Sequence, residues 1–272
     1  TGMTKTYNYN VGAPYKINAY DLQNSSDDSS TGNLKWTATV TEENLGHANI
    51  SDIEGMALDD RCKYLLFRSS ERTIIYDGET GAYTATLPLA FGDDNYAENG
   101  RIYTVREDGI YSADLYTGSI KKLYSGNICV KAAYCDNAGA SRRINNEVHF
   151  FSGKGIKLMR GILSLDSETL RFEEIQPSQA KYSSSYTVIG IGADGKACIG
   201  QDGKSAVYIF ENSGNEEICL SGWETGDGHD ILPAYKNDGT FDYVVTMYNT
   251  DIRTGTAKSG YKKYYGIYMD IY

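Results

Sequence analysis

Residues 74–89 read "IIYDGETGAYTATLPL". Ile74, Ile75 and Tyr76 run into Asp77, a short polar stretch with Gly78 and Gly81 follows, and "YTATL" resumes the apolar alternation. β-Branched and aromatic residues suit a pleated, half-buried surface. An Asp at a turn accepts hydrogen bonds from the amides ahead of it, and a Gly supplies the positive φ that closes the turn. The stretch is therefore predicted to be two antiparallel strands joined by an acid-anchored turn.

The unit recurs. Residues 110–123 read "IYSADLYTGSIKKL", 162–175 "ILSLDSETLRFEEI" and 207–220 "VYIFENSGNEEICL". Residues 17–40 read as the same unit with its turn stretched, and the chain ends in "YGIYMDIY", a first half without a second. The anchoring acids are Asp21, Asp77, Asp114, Asp166, Glu211 and Asp270, spaced 37 to 59 residues apart. Two more strand-like runs lie between hairpins, such as "EGMAL" and "KYLLF" split by Asp59 and Asp60, or "YTVIGIG" and "ACIGQ" split by "ADG". Each repeat is thus about four short antiparallel strands, and the fold class is all-β. A four-stranded sheet repeating at this period cannot bury both faces alone, and radial stacking of such sheets does it.

These stretches resemble known blades. Residues 58–89, "LDDRCKYLLFRSSERTIIYDGETGAYTATLPL", look like a blade of the β-propeller repeat superfamily in the YVTN and quinoprotein-like style. Residues 102–123, "IYTVREDGIYSADLYTGSIKKL", resemble the looser blades of six-bladed surface propellers. The resemblance covers nearly the whole chain and implies a β-propeller of four-stranded antiparallel blades. Six anchoring acids predict six blades, with five and seven as the alternatives. The WD dipeptide of WD repeats is absent. The chain is expected to be a single domain, residues 1–272. Its ring would be closed by pairing of the alternating N-terminal "TKTYNYNV" (Tyr7, Tyr9 and Val11 on one face) with the C-terminal "YYGIYMDIY". A neighbouring domain in a longer chain is the other way to cover that last edge. "SDIE" at residues 51–54 has the form of a capping box, and with Gly55 next it allows one helical turn at most.

Composition narrows the function classes. A net charge of −10 over 272 residues repels phosphate backbones and excludes nucleic acid as a partner. No apolar run approaches the roughly 18 residues of a spanning helix. No signal peptide is visible. Tyr, at 24 against 7 Phe and 2 Trp, is the aromatic of choice, as expected for strands whose rings keep a wet hydroxyl. The five cysteines are odd in number and spread without C-x-x-C, so neither a disulfide framework nor a zinc ribbon is predicted. Cys62, Cys129, Cys198 and Cys219 sit in apolar runs and are expected to be buried, with Cys135 the exception. Free thiols suit a reducing compartment, whereas the surface-propeller resemblance favours extracellular or cell-surface display.

Candidate chemistry lies in the loops that join one blade to the next, expected at residues 41–54, 90–100, 125–131, 177–186 and 221–230. The ligand-binding candidates there are His47, Asp52, Asp93, Asp94, Tyr96, Tyr186, Trp223, Asp227, His229 and Asp230. Trp223, Tyr96, Tyr182 and Tyr186 are types that stack on sugar faces, and the carboxylates, with Glu42, Glu43, Glu54, Glu98 and Glu224, are types that bind hydroxyls or a cation. His149, in "EVHFFS", reads as a strand residue. No nucleophile elbow, P-loop, H-E-x-x-H or calcium-loop spacing occurs, so no catalytic residue, cofactor or resident metal is predicted. Arg142 and Arg143, in the inserted "CDNAGASRRINNE" of residues 135–147, are expected on a surface loop. The resulting expectation is a non-enzymatic binding or scaffold module for a protein or glycan ligand. The alternative is a glycan-active hydrolase or lyase that uses loop carboxylates.

Overall fold

The computed structural model describes residues 2–5, 15–21, 33–41, 44, 53–129, 140–154, 157–178, 185–201, 206–221, 230–254 and 262–271. Among these residues, twenty-two strands fall into six sheets, in chain order. The first holds β1 (Gly2–Lys5), β2 (Tyr15–Asp21) and β3 (Asn33–Val40). The second holds β4 (Ile53–Leu58), β5 (Tyr64–Ser69), β6 (Thr73–Asp77) and β7 (Tyr83–Leu87). The third holds β8 (Asp94–Glu98), β9 (Arg101–Arg106), β10 (Gly109–Asp114) and β11 (Ile120–Ser125). The fourth holds β12 (Ser141–Ile144), β13 (Glu147–Lys154), β14 (Lys157–Ser164) and β15 (Leu170–Ile175). The fifth holds β16 (Tyr186–Ile191), β17 (Ala197–Gln201), β18 (Ala206–Phe210) and β19 (Glu216–Ser221). The sixth holds β20 (Asp230–Tyr235), β21 (Phe241–Thr254) and β22 (Lys262–Ile271). Strands follow one another across each sheet as up-and-down meanders, the antiparallel blade pattern expected from the repeat.

Contacts divide the chain into two compact units, Thr1–Val105 with Ile110–Lys122, and Arg106–Gly109 with Leu123–Tyr272. Within the first unit the second sheet is buried on both faces. Leu65, Phe67, Ile74 and Tyr76 pack with Ile17, Trp36, Ala38 and Val40 of the first sheet. The intervening Leu66, Ile75 and Leu87 pack with Phe91, Ile102, Ala113 and Leu115 on the side of the third. This is why "YLLF" reads as a continuous apolar run instead of an alternating one. Each fully buried Leu or Ile contributes about 1.5–3 kcal/mol of transfer free energy, so sheets stacked face to face supply the core that one sheet lacks. Within the second unit Phe151, Leu158 and Ile175 of the fourth sheet meet Tyr186, Val188, Ile191, Ile199, Tyr208 and Phe210 of the fifth.

The turns follow the repeat logic where the acid and the glycine have the right spacing. Asp77 Oδ1 accepts the amides of Glu79 (3.0 Å) and Thr80 (2.8 Å), and Gly81 takes φ 74°. Asp114 Oδ1 does the same for Tyr116 (3.0 Å) and Thr117 (2.9 Å), with Gly118 at φ 71°. In the next unit the sequence misleads. The turn is closed by the Ser164 amide donating to Thr169 O at 2.9 Å, which puts Ser164, not Asp166, at the anchoring position and Glu168 at the left-handed φ of 53°. Asp270 lies inside β22, opposite Thr246.

Other expectations need correction. Ile53 and Glu54 begin β4, so residues 51–54 do not end in a helical turn; the strand wins because Ile53, Ala57 and Leu58 pair and pack along β5. Arg142 and Arg143 belong to β12, paired with His149 and Val148, and not to a surface loop. Cys62 is exposed in the β4–β5 turn at φ 56°, while Cys129 and Cys198 are buried. Cys135 and the Tyr7–Tyr9–Val11 face lie outside the described residues. β1 pairs with β2, and β22 with β21.

Candidate functional site

Of the residues proposed to bind a ligand, His47, Asp52, Trp223, Asp227 and His229 lie outside the described residues, as do Glu42, Glu43, Tyr182 and Glu224. The described ones are placed by their strands. Residues 94–98 are β8, not loop, so the connection that joins the second sheet to the third is shorter than residues 90–100. Asp93 sits just before β8, and its carboxylate pairs with Arg68 at 2.7 Å. Asp94 opens the strand opposite Val105. Glu98, at its end, pairs with Arg61 at 3.2 Å. Tyr96 and Tyr186 are each only 4% exposed, and a ring buried to that degree has no face to offer a sugar. Both sit in the first strand of their sheets, and Tyr186 packs with Val188, Ile199 and Tyr208. Asp230 opens β20 opposite Met247. Glu54 is exposed in β4. Thus Asp93, Asp94 and Tyr96 share one short segment, but Tyr96 turns into the core.

The titratable groups whose proton affinity is displaced serve the frame. Burial pushes the Asp77 carboxyl up, yet the Thr80 amide and hydroxyl and the Glu79 amide, with Lys63 nearby, outweigh burial and hold it below its usual range. The Thr117 amide, helped by the Tyr116 amide and Arg101, lowers Asp114. The Thr240 hydroxyl and amide lower Asp238 in the β20–β21 turn. Burial raises the Cys129 thiol to about 12, which keeps it protonated and unreactive. Asp59, buried, accepts the Tyr64 amide at 2.5 Å and the Arg61 amide at 3.2 Å and so shapes the β4–β5 turn. Among the described residues no three His, Cys, Asp or Glu side chains are grouped to hold a metal ion.

Sequence reasoning missed the polar staples between successive sheets. The Trp36 indole donates to Gly78 O at 3.2 Å, joining the first sheet to the second. The Asp60 amide donates to Asn95 O at 2.9 Å, joining the second to the third. Arg160 of β14, 1% exposed, reaches across to two turns of the fifth sheet. Its Nη1 donates to Asn212 O and to Asn212 Oδ1 (3.0 Å), and its Nη2 to Gly195 O (3.1 Å) and Glu211 O (2.9 Å). Arg142 donates to Ile191 O at 3.0 Å and lies over the Tyr235 ring, 5.5 Å from its centroid. The Ala193 amide donates to Gly239 O at 2.8 Å, joining the fifth sheet to the sixth. A signal for Arg160 was present in "LMRGIL": a charge inside an apolar strand run needs partners that are not local.

No protein-family model matches the chain, and no curated protein matches it by sequence. Solved structures do. The WD40 domain of SCAP from fission yeast overlaps with a TM-score of 0.52 at 8% identity, over 94% of this chain and 69% of that one. Hsv2 from Kluyveromyces lactis gives 0.45 at 13% identity, over 96% and 95%. The N-terminal domain of Nup159 gives 0.44 at 8% identity over 81% of this chain, which spans 58% of that domain. The fold is a β-propeller. The SCAP domain carries that likeness, which concerns architecture alone at such identities. It also shows that a chain without the WD dipeptide builds the same kind of sheet, because meander pairing and two-faced burial define the blade. Membership of the YVTN or quinoprotein-like group rests on the sequence resemblance only.

Proposed function

We propose that this protein is a non-enzymatic binding or scaffold module for a protein or glycan ligand. The carrying observation is the use to which the described charged groups are put. Asp59, Asp77, Asp114 and Asp238 shape or cap turns, Arg142 and Arg160 staple sheets, and Asp93 and Glu98 are ion-paired. Such a frame is suited to holding loops in fixed places. The loop sequences at 41–54 and 221–230 carry His47, Asp52, Trp223, Asp227, His229 and Asp230, the groups we assign to ligand contact. We further propose one propeller domain closed by its terminal strands. Deleting residues 1–14 should then destabilise the fold, and an unchanged melting curve would count against closure.

The test of function is a thermal-shift screen of the full chain against oligosaccharides and divalent cations. A ligand at about 100 times its Kd stabilises the native state by about 2.7 kcal/mol. A shift with one sugar class that Trp223→Ala abolishes is the expected glycan result, and no shift with any small ligand leaves a protein partner. Release of reducing ends from the shifting sugar would overturn the non-enzymatic reading.

A further inference from the structure

The fourth sheet turns a charged layer, as well as an apolar floor, toward the fifth. The register places Arg142, His149, Ile162 and Arg171 in one row across β12 to β15, and Phe151, Arg160 and Glu173 in the next. Phe151, Leu158 and Ile175 form the floor against the fifth sheet. His149 is 4% exposed. Its Nε2 lies 3.6 Å from Glu147 Oε2, too long for a hydrogen bond. Glu147 is already held by Arg171 through two bonds of 2.8 and 3.2 Å. Among the described residues, the His149 Nδ1 and the Arg160 Nε have no hydrogen-bond partner. Among the described residues, the charged groups around the imidazole are Arg142 from β12, Glu147 from β13, Arg160 from β14, and Arg171 and Glu173 from β15. The turns of the fifth sheet that meet Arg160 add Asp194, Lys196 and Glu211. Asp194 is engaged with the Phe241 and Lys196 amides, and Glu211 accepts the Ser213 hydroxyl.

We propose that His149 is an acid-operated release for the junction between the fourth and fifth sheets: on gaining a proton it sets a second buried cation beside Arg160, and the bonds from Arg160 to Gly195, Glu211 and Asn212 give way. Burial, and then the charge of Arg160, push the imidazole down to about 4 against the pull of Glu147. The sign follows from linkage. Above the ordinary value near 6.5 the proton is absent from closed and open forms alike. As pH falls below 6.5 the open form takes up the proton and the closed form does not, so opening grows until about pH 4. Between pH 7 and pH 5 the opening equilibrium rises about twentyfold. The carboxylate caps, lowered in the fold, stay ionised through this window and do not contribute.

Hydrogen exchange of the full chain at pH 7 and pH 5, corrected for intrinsic exchange, tests this. Protection of the amides of Gly195 and Glu211 and of β17 should fall about twentyfold while the second sheet keeps its protection. His149→Phe and His149→Gln, which carry no titrating ring, should each hold protection level between the two pH values. Flat protection in the natural chain, or a persistent fall in a folded variant, overturns the proposal. Should neither variant fold, the ring-proton titration of His149 in the natural chain decides. A midpoint below 5 supports the release, and a midpoint near 6.5 removes it.

Discussion

Arg160→Ala asks whether buried polar staples hold the sheets side by side in addition to apolar packing. The guanidinium is 1% exposed and donates to four acceptors. Glu211 O keeps a second donor, the Gly214 amide at 2.9 Å. Gly195 O and the two Asn212 oxygens lose their donor. Asn212 is exposed and water can replace the guanidinium there, so the buried Gly195 O, at about 1–3 kcal/mol, together with the space vacated over Phe151 brings the loss to about 3–5 kcal/mol. Removing the charge also relieves the cost of burying it. Arg160→Met, which refills the volume without the charge, should therefore lose less than Arg160→Ala by about 1–2 kcal/mol. Arg160→Lys keeps the charge but cannot span Gly195 and Asn212 with one ammonium, and should lose about 2 kcal/mol. Urea unfolding followed by circular dichroism and by tryptophan fluorescence measures all three. An alanine variant within about 1 kcal/mol of the natural chain, or a lysine variant as stable as arginine, would refute the staple.

Two further outcomes follow from the turns. Asp77→Ala removes the acceptor for two amides and the Thr80 hydroxyl and should cost about 1 kcal/mol at neutral pH. Because its carboxyl titrates below the ordinary value, this contribution is present above about pH 4 and fades as pH falls through the folded value. A cost that persists undiminished at pH 2 would show that the charge is not what caps the turn. Glu168→Gly relieves a left-handed φ of 53° and should gain about 1 kcal/mol, a rise of about 2–4 °C in Tm. A fall in Tm would mean that the glutamate side chain contributes more than the strain costs.

The hairpins were legible because their determinants are local. Asp77 and Gly81, or Asp114 and Gly118, lie within one turn, and their geometry needs nothing from elsewhere. Asp166 misled for the same reason: an acid near the right place looks like an anchor, but the strand ends at Ser164 and Glu168 accepts the conformation usually left to glycine. What the sequence hides is what the neighbouring sheet claims. Tyr96 and Tyr186 read as loop rings open to a ligand, and both instead lie in strands that bury them. Arg142 reads as a surface charge because its acceptor, Ile191 O, is 49 residues away. Arg160 announces only that it needs distant partners, and not which ones, since its acceptors lie 35 to 52 residues downstream. The loop residues assigned to ligand contact were legible only as chemical types.

Two-sided burial of the second sheet has a consequence for a chain made from its N-terminus. When Leu87 has been added, the Leu65–Phe67–Tyr76 face can already close on Trp36 and Val40. The opposite face, Leu66, Ile75 and Leu87, has nothing to close on until Ile102, Ala113 and Leu115 emerge. At about 5–20 residues per second that interval lasts a few seconds, during which a nascent chain shows an apolar, strand-edged surface. The demand for chaperone cover should therefore come as a pulse while the second sheet awaits the third, and should fall once Leu115 has emerged.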